Sequence, residues 1–142
     1  MTDNKRTLPI IFKTGAYLLV LLGIVHIALT PLFFNRFGLD VLWFGGTGMG
    51  LVFLGNLNLL VLLSKKAGFY MMAITSNIMG LLLMVLILFM NPAPQAWIGV
   101  VLLLVLLVGS ISEHINLLKN VLKEREKVEE ENQKNLKDEN SD

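Results

Sequence analysis

An all-α, integral membrane four-helix up-down bundle is the fold class the sequence predicts, followed by a charged C-terminal tail, helical or disordered. Three observations predict it. Apolar residues make up 54% of the chain and mean hydropathy is +0.66, too high for a water-soluble domain of 142 residues. Charged residues are segregated to the two ends and to two short interruptions. What remains is four apolar runs of roughly 20 residues, the length that crosses a ~30 Å hydrocarbon core.

The elements follow in order. Residues 1–7 read as a polar N-terminal tail, and 8–118 as the membrane domain. The first span covers about 12–30, with Pro9 tolerable in an opening turn. Lys5, Arg6 and Lys13 followed by an apolar run invite a signal-peptide reading, but Ala28-Leu29-Thr30-Pro31 is a poor cleavage site, so a retained first helix is expected. Pro31, Asn35 and Gly38 break that helix, and Asp40 is placed as the N-cap of the second span, 41–63. Ser64 to Gly68 forms the next turn, and the third span runs 69–90 until Asn91-Pro92-Ala93-Pro94 stops it. The fourth, 96–114, becomes polar at its end without a breaker. Ile111, Ile115, Leu118 and Leu122 then form a short apolar stripe that lapses at Arg125 and Glu129, too short for a sustained coiled coil. Residues 119–142 are a charged tail, expected to fray into disorder from Glu124 onward. Short connections make consecutive helices antiparallel neighbours.

Orientation is read from Lys and Arg alone. Of the twelve, only Arg36 lies on the side of the first and third connections; all the others share a side with the two termini. That asymmetry places both termini in the cytoplasm and the protein in the inner (plasma) membrane.

Unrolling each span at about 100° per residue gives every helix one small-and-polar face. These are Gly15, Leu19, Gly23, His26 and Thr30 in the first; Gly45, Thr47, Gly48, Gly55, Asn56 and Asn58 in the second; Ala73, Ser76, Asn77 and Gly80 in the third; and Gly99, Gly109, Ser110 and Glu113 in the fourth. Such faces belong inside a bundle, where small residues allow close approach and amides bond across helices. Depth sorts the polar residues into two groups. Asn56, Asn58, Ser76, Asn77, Ser110 and Glu113 form a candidate cluster toward the termini, either packing glue or the lining of a small cavity. His26, Thr30 and Thr47, joined by Trp43, form a second cluster toward the other end. His26 reads as a ligand, a proton carrier or a hydrogen-bonded interior histidine. Gly46 and Gly50 form a Gly-x-x-x-Gly pair on a separate flank, read as a helix-packing or dimer face.

Several chemistries are argued against. The chain has no cysteine, hence no disulfide, thiol relay or cysteine-ligated metal. His26 and His114 lie at opposite ends of the membrane region and cannot clamp one haem. There are no Glu-x-x-His pairs for a di-iron site, no mid-membrane acid in the first helix for a proton-coupled exporter, and no phosphate-binding loop. No cofactor or metal and no nucleic-acid partner is expected. The partners expected are the lipid bilayer and either a second copy or another membrane protein.

Gly23-x-x-His26-x-x-x-Thr30-Pro31, Leu42-Trp43-Phe44 and Gly55-Asn56-Leu57-Asn58-Leu59-Leu60 together resemble small four-span bacterial membrane proteins of unassigned function. The resemblance covers the first two spans. It implies the four-helix membrane fold and a bacterial envelope setting, and it transfers no activity. The function expected is therefore a non-catalytic structural or interaction role, or the holding of a small apolar ligand. The alternatives are a small oligomeric transporter or channel-like subunit, and a membrane enzyme using His26.

Overall fold

The computed structural model describes residues 4–64, 66–90 and 92–139, with side chains between 9 and 134 apart from 65 and 91. The extreme ends of the two tails and the turn residues Lys65 and Asn91 lie outside the described residues.

Four helices account for nearly the whole chain: α1 (Asn4–Phe33), α2 (Leu39–Ser64), α3 (Ala67–Met90) and α4 (Pro94–Glu139). α1 is longer than expected and contains both Pro9 and Pro31. Each proline deletes one i→i−4 bond; Pro31 does so in the last turn, which the Phe34 N–H closes onto the Thr30 carbonyl at 3.2 Å. At the start of α2 the Leu42 N–H bonds the Gly38 carbonyl at 3.3 Å. Asp40 therefore lies inside the first turn rather than at the N-cap, where its carboxylate still faces the positive end of the helix dipole. α4 opens on Pro94, whose missing N–H costs nothing at a first helical position.

The fraying expected from Glu124 is not what the structure shows, since α4 continues to Glu139. No Gly or Pro follows Gly109 to end it. Good helix formers fill the segment, and Arg125/Glu129 and Lys127/Glu131 stand at the i,i+4 spacing that favours opposite charges.

The helices close a ring in which α1 meets α2 and α4, and α3 meets α2 and α4. The tightest seam joins α1 and α2, and glycine makes it. A Cβ on Gly23 would fall 2.6 Å from the Gly48 carbonyl oxygen, and one on Gly55 would fall 2.9 Å from that of Ala16. Backbones approach this closely only where side chains are absent. At the shared centre Phe12, Leu19, Leu51, Met84, Leu103 and Leu106 pack together, with the Phe12 ring lying against Gly109. A smaller cluster of Val61, Tyr70 and Ala73 tightens α2 against α3 beside their turn.

The outside of the bundle is as apolar as the inside. Leu21, Phe53, Leu82, Phe89 and Ile98 are all exposed, an arrangement that water would penalise and acyl chains would cover. All four helices are long and apolar enough to cross a membrane. By helix length and composition, this is a multi-pass membrane protein. The stripe of Ile111, Ile115, Leu118 and Leu122 is exposed too.

Candidate functional site

Polar side chains gather at two levels, and the two groups differ in whether their hydrogen-bonding capacity is used up.

Toward the termini, Asn58, Asn77 and Ser110 meet with no solvent exposure. The Asn58 Nδ2 donates to Asn77 Oδ1 at 2.9 Å and to the Leu54 carbonyl at 2.8 Å. The Asn77 Nδ2 donates to Asn58 Oδ1 at 2.9 Å and to Ser110 Oγ at 3.4 Å. The Ser110 hydroxyl donates to the Leu107 carbonyl at 3.0 Å. Every amide and hydroxyl proton of the three thus has an acceptor, and the paired amides join α2, α3 and α4. A buried network satisfied in this way fixes helix register and leaves no free donor proton for a solute.

The other residues expected in this cluster are placed apart from it. Asn56 is exposed on the outer side of α2, because two residues along a helix turn a side chain by about 200°. Ser76 and Glu113 are half-buried outside the network. His114 packs its ring 6.1 Å from that of Tyr70, and its buried Nδ1 has no hydrogen-bond partner among the described residues.

Toward the opposite end the helices border a cavity of about 730 Å3 that is open on one side, where Trp43, Leu86 and Met90 are exposed. All four contribute: Leu22 and His26 from α1, Trp43 and Thr47 from α2, Met84 and Ile87 from α3, and Ala96 from α4. Asp40 and Gln95, in the first turns of α2 and α4, are also on its wall. The His26 ring is stacked on Phe44 at 4.0 Å between centroids and 20° between planes. Phe33 and Phe34 pack on Phe44 at steep angles, with centroids 6.0 and 5.6 Å away. His26 is thereby fixed by a ring face, and among the described residues its nitrogens make no hydrogen bond. Thr47 spends its hydroxyl proton on the Trp43 carbonyl at 2.8 Å. Thr30 is buried, bonds the His26 carbonyl at 3.0 Å and is not on the cavity wall.

Beside this cavity a groove of about 580 Å3 runs down the outer face between α2 and α3. Gly46 and Gly50 line it, and a Cβ on either would meet nothing within 4 Å. They make no close packing inside the bundle; that part is played by Gly23, Gly48 and Gly55.

Sequence reasoning placed His26, Trp43 and Thr47 together but passed over Phe44, Asp40 and Gln95. In the sequence Asp40 reads only as a helix start and Gln95 only precedes the fourth span, although a first turn on the His26 side stands at the right depth to share its cavity. Among the described residues no group of three or more His, Asp or Glu gathers as metal ligands would. Comparison with protein families, with curated proteins and with solved structures returns no match.

Proposed function

We propose that this protein is a non-catalytic membrane protein that holds a small, mainly apolar ligand in the cavity walled by His26, Asp40, Thr47 and Gln95. The observation that carries the reading is the cavity itself. Its volume of about 730 Å3 lies within the range of small-molecule sites, and its wall is hydrocarbon and aromatic with a few polar groups near one end. His26 suits a role in orienting a ligand, since it is stacked in place with its ring nitrogens uncommitted.

The satisfied Asn58–Asn77–Ser110 network supports holding over conduction. It joins three helices on the side of the cavity toward the termini, and a solute path would need polar groups with capacity to spare. With eleven of the twelve Lys and Arg on that side, both termini are assigned to the cytoplasm of a plasma membrane, and the cavity to the outer half.

The chain has two tryptophans, and Trp97→Phe leaves Trp43, on the cavity wall, as the sole emitter. In lipid nanodiscs, 4-bromobenzyl alcohol should quench Trp43 saturably, and Thr47→Phe, which fills the cavity, should abolish the saturable part. Quenching that is linear in probe concentration and unchanged in Thr47→Phe would overturn the proposal. Helicity by circular dichroism confirms that the variant folds.

A further inference from the structure

We infer that the ligand is a single-chain amphiphile with an uncharged, hydroxyl-bearing head, its head in the cavity and its hydrocarbon chain lying in the α2–α3 groove. The inference rests on the ligand site proposed above and names what fills it.

The first ground is continuity. Cavity and groove share Trp43, Thr47, Leu51, Leu83 and Met84, so the two spaces meet along one wall. The second is how the α2–α3 seam opens. The helices pair through Val61 and Ala73, through Asn58 and Asn77, and through the Leu54 side chain against Gly80. Beyond Leu54 and Gly80 the next residues along the seam, Leu51 and Met84, are buried in the shared core and also form one wall of both spaces. The groove is thus closed at its inner end by the Leu54–Gly80 contact and open sideways to lipid, where Leu42, Trp43 and Leu83 are exposed.

Length is the third ground. From Leu39 to Leu54 the groove follows α2 for fifteen helical steps, or about 22 Å. One leaflet contributes about 15 Å of hydrocarbon, so the groove accepts an acyl chain that starts in the polar cavity and ends near the bilayer centre. Gly46 and Gly50 give that chain its floor: their missing side chains leave open space rather than a helix contact.

The wall's charge selects the head. Asp40 is the ionisable acid on it, His26 is its one basic side chain, and no Lys or Arg among the described residues contributes to it. A carboxylate or phosphate head would meet like charge without a cation, whereas a hydroxyl can donate to Asp40 or His26 and accept from Gln95.

The probe is a monoacylglycerol dibrominated at mid-chain, titrated into phosphatidylcholine nanodiscs carrying the Trp97→Phe protein. Quenching of Trp43 should saturate at a mole fraction at least fivefold below that needed for Trp97 in the reciprocal Trp43→Phe protein, since Trp97 is exposed and is not on the groove. Gly50→Leu fills the groove where a side chain meets no neighbour, and should weaken the monoacylglycerol at least fivefold. The brominated fatty acid of equal length should also be at least fivefold weaker. Gly50 is not on the cavity wall, so 4-bromobenzyl alcohol should still bind Gly50→Leu normally. Identical curves for Trp43 and Trp97, or an unchanged curve in Gly50→Leu, would overturn the chain placement while normal alcohol binding left the ligand site standing. Loss of alcohol binding in the unsubstituted protein would instead remove the site. Cross-linking between copies through Phe53→Cys that disappears in Gly50→Leu would assign the groove to a second copy and overturn the inference.

Discussion

Replacing Asn77 by Leu tests the buried amide pair, and its cost can be worked out from the bonds it breaks. Three hydrogen bonds are lost: the reciprocal pair with Asn58 and the bond to Ser110 Oγ. At about 0.6 kcal/mol per interhelical bond in a membrane they contribute about 2 kcal/mol. The substitution also strands one Asn58 N–H and its Oδ1 in a site with no exposure, which adds about 1–2 kcal/mol. The expected loss is therefore about 3–4 kcal/mol, and Asn58→Leu should cost a similar amount. Replacing both removes the stranded groups together and loses the shared pair of bonds only once, so the double variant should fall short of the sum of the singles by about 3–5 kcal/mol. Asn56→Leu is the control; Asn56 is exposed and outside the network, so its change should stay within about 0.5 kcal/mol. Circular dichroism during a titration of SDS into mixed micelles measures all four. An Asn77→Leu protein as stable as its parent, or singles that simply add, would refute the reasoning.

Three other expectations are checked by simple means. Gly55→Val, whose Cβ meets the Ala16 carbonyl oxygen at 2.9 Å, should destabilise by about 1–3 kcal/mol in the same titration, while Gly46→Ala, in open space, should be neutral or stabilise by up to ~1 kcal/mol. In intact cells a single cysteine at Arg36 should react with an impermeant maleimide and one at Lys123 should react only after lysis; the reverse would invert the proposed orientation. A chain ended after Asn120 should keep the bundle's stability within about 0.5 kcal/mol, because the following residues through Lys134 are exposed and none contributes to the packed clusters.

How far the sequence announces this arrangement depends on the kind of signal. The four helices are legible because hydrocarbon thickness and helical rise together demand a run of fixed length, and tertiary detail cannot override that. Asn58, Asn77 and Ser110 are legible as interior residues because burying an amide needs a partner, and each stands on its helix's small-residue face. Asn56 shows where the method fails: a face drawn across half a circumference admits a residue that α2 in fact turns outward. Gly46 and Gly50 show a second limit. A Gly-x-x-x-Gly spacing marks a smooth strip of backbone, but only the neighbouring helix decides whether the strip is a seam or a groove, and here α3 stands off from it. The persistence of α4 had its signal in the charged tail, where composition suggested disorder while the spacing of opposite charges and the lack of breakers favoured helix.

That persistence has a mechanical consequence. Ala96, on the cavity wall, and Glu139 belong to one jointless mast of 46 residues, about 69 Å from end to end. If the mast pivots near Glu113, its far tip stands about 39 Å beyond the fulcrum, and a swing of only ~5° carries that tip through about 3 Å. On that geometry a displacement of Ala96 would reach the far end of the charged lever enlarged by about half.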